Sequence, residues 1–172
     1  AAMDKQIKKE PLLEAVHLKK YFNLPRKKKL HAVDDVSFTV YEGETLGLVG
    51  ESGCGKSTVG NVVMRLLPQT DGKLLFRGTD IFSLSKKEQR EYCRKMQIIF
   101  QDPYASLNPR MTVRELIQAP LEVYSHESKA EKLAKVKNIM AKVGLREEYM
   151  SKYPHEFSGG QRQRIVIARA LI

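Results

Sequence analysis

The nine residues from Gly50 to Thr58 read GESGCGKST, and their types and spacing suit one task, holding a chain of phosphates. They satisfy G-x-x-x-x-G-K-[ST], with an apolar run, TLGLVG, before them and a helix-forming run, STVGNVVMRLL, after them. Gly50, Gly53 and Gly55 let the backbone curl so that successive N–H groups point inward, and a helix starting behind them adds a favourable dipole. Lys56 would reach the outer phosphates, and the Ser57 hydroxyl would hold Mg²⁺. Glu51, Ser52 and Cys54 fill the variable positions and Thr58 closes the pattern, so all nine residues are expected to line a nucleotide site.

A second stretch with related chemistry is FSGGQRQR, residues 157 to 164. Ser158 can offer a hydroxyl, and Gly159 and Gly160 allow close approach to backbone N–H groups. A helix begins at Gln161 and its neighbours, making a second place suited to an anion. Taken by itself, SGG is also an ordinary serine-capped helix start.

The elements that must position these residues follow from periodicity and punctuation. LLEAVHL and AVDDVSFTV read as two strands of a hairpin, joined by the basic loop NLPRKKKL. TLGLVG reads as a short apolar strand, and the helix after the glycine loop should end at Pro68. A small antiparallel element is expected between Asp71-Gly72 and Arg77-Gly78. Ser85 with Glu88 opens a helix to about Lys95, after which MQIIF reads as a buried strand. QDPYASLNPRMTV reads as a loop and a boundary. Ser128 with Glu131 then opens a helix that Gly144 closes.

The two motifs together resemble the ATP-binding cassette (ABC) family, whose signature is usually written LSGGQ; Phe157 replaces the usual leucine. The resemblance implies an α/β fold: a P-loop NTPase core with an antiparallel β subdomain and a helical subdomain. It implies a tail over 1–11, a nucleotide-binding core over 12–102, a helical subdomain over 103–157 and a signature helix over 158–172. In this family two cassettes pair head to tail, so Ser158, Gly159, Gly160 and Gln161 would act on the ATP held by a partner cassette, identical or sister. Gln101 matches the family's Q-loop glutamine, which touches Mg²⁺ or the attacking water. Phe22 in LKKYF aligns best with the aromatic residue that stacks on adenine, and Tyr21 is the alternative.

A narrower resemblance lies in VDDVSFTVYEGETLGLVGESGCGKST and FQDPYASLNPRMTV, which are similar to the ATPase subunits of bacterial oligopeptide and dipeptide importers. It implies ATP and Mg²⁺ as cofactors, membrane permease subunits as partners, an extracytoplasmic peptide-binding protein reached indirectly, and a peripheral place on the cytoplasmic face of the membrane. A nickel importer of the same branch is the nearest alternative. A DNA-repair ATPase shares both motifs, but separates them by long coiled coils that the heptad-free intervening segment lacks.

The family's Walker B aspartate, its neighbouring glutamate and its switch histidine would lie beyond Ile172. The expectation is therefore an N-terminal part of such an ATPase, with an incomplete core sheet, that binds ATP but hydrolyses it poorly. RIVIARALI, apolar on nearly every side, is expected to expose an apolar patch. Ala1 and Ala2 ahead of Met3 read as a cloning scar.

Composition agrees with a globular domain, at 42% apolar and 29% charged residues. The net charge of +10 gathers in IKKE, LKKYFNLPRKKK and KAEKLAKVK, which is expected of a solvated basic surface and not of a nucleic-acid partner. Cys54 and Cys93 lack metal-ligand spacing, and no apolar run approaches the ~20 residues needed to cross a bilayer.

Overall fold

The structure, a computed structural model, describes residues 10–102 and 105–172. The expected tail up to residue 9, and Pro103 and Tyr104 of the DPYASLNP stretch, lie outside the described residues. The chain divides into two compact units between Lys95 and Met96, a few residues ahead of the boundary expected from the proline-rich loop.

The first unit is built on a long hairpin. β1 (Pro11–Asn23) pairs antiparallel with β2 (Lys29–Tyr41) on one side and with β3 (Asp71–Phe76) on the other. β4 (Thr79–Asp80) completes the order β2-β1-β3-β4. Leu13 and Ala15 point into the core at alternate positions, and then the buried set moves to Leu18 and Lys20. A one-residue slip in a strand exchanges its faces, and a bulge here performs it. His17 takes φ 49° and Asp35 φ 56°; the His17 ring nitrogen sits 2.7 Å from the Asp35 carboxylate, and the His17 N–H donates to Ser37 Oγ. β3 closes on this bulge only because Gly72 faces it, since a Cβ there would lie 2.2 Å from the His17 carbonyl oxygen.

α1 (Lys56–Val63) packs on β2 and buries Val59 and Val62, and Leu74 of β3 and Ile81 are fully buried in the same unit. α2 (Lys86–Lys95) starts with the expected Ser85–Glu88 cap and buries one residue, Tyr92. The Tyr92 hydroxyl donates to the Val63 carbonyl at 2.6 Å, satisfying an orphan acceptor at the end of α1.

Two expected strands do not form. TLGLVG and MQIIF form no strand and have no ladder partners among the described residues, and Leu46, Leu48, Val49, Ile99 and Phe100 are exposed. An apolar run becomes a strand only when a neighbour takes its N–H and C=O groups, so local pattern alone could not decide these two.

The second unit is helical. α3 (Val113–Tyr124), α4 (Lys129–Lys142) and α5 (Gly159–Leu171) surround a core that includes Val113, Ile117, Val136, Met140, Ile165 and Val166. Short 3₁₀ turns over Glu147–Ser151 and Pro154–Glu156 lead into α5. The apolar patch expected of RIVIARALI is not found on α5, because α3 covers Ile165, Val166 and Ala168; Leu171 alone of its large apolar residues stays exposed. Arg164 donates to the carbonyls of Val143 and Gly144 at 3.3 Å, so α5 also caps the end of α4.

Ser128 caps α4 as expected: its Oγ accepts from the Glu131 N–H at 3.3 Å, and the Glu131 carboxylate accepts from the Ser128 N–H at 2.8 Å. The Ser128 hydroxyl, which donates to the same carboxylate at 2.7 Å, and then the Ser128 N–H hold the Glu131 carboxyl below its ordinary range. Replacing Ser128 by alanine is expected to cost about 1 kcal/mol of unfolding free energy, measured as a lower urea midpoint at an unchanged m-value.

Candidate functional site

The glycine loop sits in the first unit, held between β2 and the start of α1. Gly55 is the N-cap of α1, at φ 97°, and offers no side chain to the first turn. The leading N–H groups of that turn are therefore left for an outside acceptor. The loop presses directly on β2: a Cβ on Gly55 would lie 2.0 Å from the Ala32 carbonyl oxygen and 3.9 Å from a Val33 methyl.

Lys56 folds back across the loop. Its ammonium donates to the carbonyls of Gly50 at 2.8 Å and Glu51 at 2.6 Å, with Cys54 Sγ at 3.5 Å. These bonds point the charge at the concave side of the loop, where phosphate oxygens would exchange with the carbonyls. Ser57 is exposed on the first turn of α1, and its hydroxyl has no recorded hydrogen bond among the described residues. A hydroxyl oxygen at this place is a hard ligand of the kind Mg²⁺ takes, so Ser57 could hold the ion from this loop.

Tyr21 and Phe22 separate cleanly. The Tyr21 ring stacks on His31 with centroids 3.9 Å apart at 14°, its hydroxyl donates to the Asp34 carboxylate, and its N–H donates to Thr70 Oγ1 at 2.8 Å. The hydrogen bond to Asp34 pushes the Tyr21 phenol up to about 12, and the same bond, with a second from His31, holds the Asp34 carboxyl below its ordinary range. One face and the polar tip of Tyr21 are thus already engaged. Phe22 pairs with Leu30, and its ring lies under the ammonium of Lys20 at 5.0 Å. Lys20 in turn pairs with Val33, the residue against which Gly55 packs, so Phe22 and Lys20 belong to the face that carries the loop.

Tyr92 is raised to about 12 as well, chiefly by burial. A phenol ionises near 10 in an unfolded chain. The folded state therefore keeps the proton that the unfolded state loses, and this contribution is complete below about pH 10 and lost between about 10 and 12. Tyr92→Phe removes it, so the stability difference between the two proteins should shrink as pH rises through that window. Urea midpoints at both ends of the window, followed by circular dichroism, check this; a constant difference would refute it.

The signature residues lie in the second unit at the start of α5. Phe157, the departure from the usual leucine, is buried and meets the Tyr149 ring edge-on at 5.3 Å, which anchors the turn. Ser158 Oγ accepts from the Gln161 N–H at 3.3 Å, and the Gln161 side-chain oxygen accepts from the Ser158 N–H at 3.0 Å. The boxes on α3 and α4 differ in one respect. There the partner is a glutamate that also takes the hydroxyl proton, from Thr112 at 2.9 Å and from Ser128 at 2.7 Å. Gln161 takes no such bond, so the Ser158 O–H and the Gln161 amide N–H groups are donors without a recorded acceptor among the described residues.

Gly159 and Gly160 sharpen the point. A Cβ on either would meet nothing within 4 Å, and both have helical φ, so neither packing nor backbone demands glycine. Glycine in a helix costs about 1 kcal/mol relative to alanine. The bare surface is one to which something outside this chain can come close. Gln101, exposed in the second unit, has no recorded hydrogen bond among the described residues.

The structure brings the expected loop residues together at the start of α1 and the expected signature residues together at the start of α5, and it separates Tyr21, stacked on His31, from Phe22, which lies under Lys20. LKKYF contains two lysines, and only the bulge decides which of them turns inward.

The family model described as ABC transporter matches residues 33–172. OppF of Bacillus subtilis, an oligopeptide transport ATP-binding protein, is 56% identical over 164 residues, which are 94% of this chain and 53% of OppF. AppF of the same organism is 50% identical, over 94% of this chain and 51% of its own length. The chain thus spans about half the length of the curated relatives it matches. Among solved structures, the dimeric ATP-binding cassette MJ0796 bound to ADP and Pi superposes with a TM-score of 0.81 at 28% identity, over 92% of this chain and 68% of that one. CbiO1 of Clostridium perfringens, part of the cbiONQ transporter complex, gives 0.77 at 26% identity, over 94% and 61%. With its glycine loop, its signature turn and this family match together, the chain belongs to the ABC transporter family of ATP-binding cassettes.

Proposed function

We propose that this chain binds ATP with Mg²⁺ at Gly50–Thr58 and belongs to the energy-coupling subunit of a bacterial importer of oligopeptides or dipeptides. The carrying observation is the glycine loop: uncapped N–H groups at the start of α1, with Lys56 already turned into their concavity. The names of the relatives at 50–56% identity support peptides as the cargo. Phe22 stacks on the adenine, because it shares the face of the loop while Tyr21 is engaged by His31 and Asp34. Ser57 is the Mg²⁺ ligand from the loop, and Gln101 is assigned to Mg²⁺ or the attacking water on its match to the family's Q-loop glutamine alone.

The turn of Ser158, Gly159, Gly160 and Gln161 suits the outer phosphate of ATP held by a second cassette, identical or sister. Its side-chain oxygens already accept from backbone N–H groups, and the hydroxyl and amide donors that are left, with no carboxylate beside them, are complementary to a polyanion. The helical unit meets the membrane permease. It carries an open groove of about 1100 Å³ whose lining includes Met111, Ala119 and Met150, and no described helix is long and apolar enough to cross a membrane. By its resemblance to importer ATPases the subunit works from the cytoplasmic face, and the peptide-binding protein reaches it only through the permease.

Within residues 1–172 no side chain matches the family's aspartate–glutamate pair for the attacking water. These residues therefore account for binding and for the shared contact, and not for turnover. Calorimetric titration with ATP, alongside phosphate release, separates the two. Lys56→Ala should lower ATP affinity by about tenfold or more, the loss of a charge-assisted contact. Unchanged affinity in that variant would overturn the site.

A further inference from the structure

Lys20 is an unusual lysine. It is 9% exposed, one of two buried charged residues among those described, and the other, Lys132, has a carboxylate at 2.8 Å. No ion pair or side-chain hydrogen bond is recorded for Lys20 among the described residues; its ammonium rests over the Phe22 ring, 5.0 Å from the centroid. Its neighbour Lys19 turns to the opposite face and pairs with Asp71 at 3.4 Å. The bulge at His17 that exchanges the faces of β1 is what brings Lys20, and not Lys19, inward.

We propose that Lys20 is a positioning residue for the nucleotide base, acting through Phe22. A ring has two faces. The ammonium holds one, which fixes the ring against rotation and leaves the other face for a flat partner. A cation on one face also draws electron density toward itself, and so favours a π-system on the opposite face. The stack would run ammonium, phenyl, adenine. The inference rests on the reading of Phe22 as the adenine-stacking residue, and assigns Lys20 to recognition of the base and not of the phosphates, which belong to Lys56 and the loop.

The test compares two probes on the full-length protein: ATP, which has a base, and inorganic tripolyphosphate, which does not. Lys20→Met keeps the apolar stem and removes the charge. It should weaken ATP binding about fivefold and leave tripolyphosphate affinity unchanged, while Lys20→Arg, which also sits on aromatic faces, should restore ATP binding. In a Phe22→Ala background, Lys20→Met should have no further effect. Equal losses for both probes would show that Lys20 meets a phosphate and overturn the proposal. Unchanged ATP affinity, or an undiminished effect of Lys20→Met without the ring, would overturn it too. Failure of the nucleotide site itself has a separate signature, since Lys56→Ala would then leave both probes bound, and failure of the adenine assignment would leave Phe22→Ala binding ATP normally. Thermal unfolding of each variant confirms that the hairpin is intact.

Discussion

Replacing Gly55 by alanine is expected to abolish measurable ATP binding, with a loss of about a hundredfold or more, and to lower the stability of the first unit. Two penalties coincide at this residue. Its φ of 97° is strained for any side chain, and the added Cβ would lie 2.0 Å from the Ala32 carbonyl oxygen, a distance that no relaxation of a flexible side chain can relieve because the obstacle is backbone. Either β2 moves or the loop lifts away from it. β2 is tied to β1 along its whole length, so the loop is the part that yields, and with it go the N–H groups of α1 and the root of Lys56. Gly53 provides the control. Its φ is 82°, but a Cβ there meets nothing within 4 Å, so Gly53→Ala should show only the conformational penalty of about 1–2 kcal/mol. Titration calorimetry with ATP and thermal unfolding of both variants distinguish the cases. Near-normal affinity in Gly55→Ala would mean that the loop does not bear on β2 as described.

The loop and the signature could be read from sequence because each is a run of consecutive residues whose chemistry is local. A helix start, a cap and a tight turn are decided within about four residues, and Ser85, Ser128 and Ser158 all cap as their spacing implies. What sequence could not decide depends on a neighbour distant in the chain. TLGLVG and MQIIF have the composition of strands, yet a ladder needs a second strand, and among the described residues none lies beside them. The apolar helix α5 looked exposed because its cover, α3, is far away in sequence. The bulge in β1 was hidden for another reason. It rests on His17 and Asp35, which adopt φ values usually left to glycine and bond to each other across the strands. Without that bulge, simple alternation from Leu13 and Ala15 would have turned Lys19 and Tyr21 inward in place of Lys20 and Phe22. Two adjacent aromatic residues thus stayed ambiguous until the register was known.

Gln161→Glu is expected to separate stability from function at the signature turn. Glutamate at this place would complete the same box that α3 and α4 already have, where the carboxylate accepts from both the backbone N–H and the hydroxyl of the cap. A negative charge in the first turn also meets the positive end of the α5 dipole. The helical unit should therefore gain about 0.3–1 kcal/mol, read as a higher unfolding midpoint. The function should move the other way. The Ser158 hydroxyl would give its proton to the new carboxylate, the Gln161 amide donors would be gone, and a negative charge would face the outer phosphate of the partner's ATP. Loss of one preorganised donor to a developing oxyanion costs about a hundredfold or more in rate, and here a repulsion is added. Steady-state ATPase of the assembled full-length protein should fall by at least that factor. ATP affinity at Gly50–Thr58 of the same chain, measured on the isolated subunit, should not change, because those contacts lie in the other unit. A variant that is more stable and as active as the parent would show that the turn serves only to start a helix. Ser158→Ala, by contrast, removes the cap and the donor together and should lower both stability and rate.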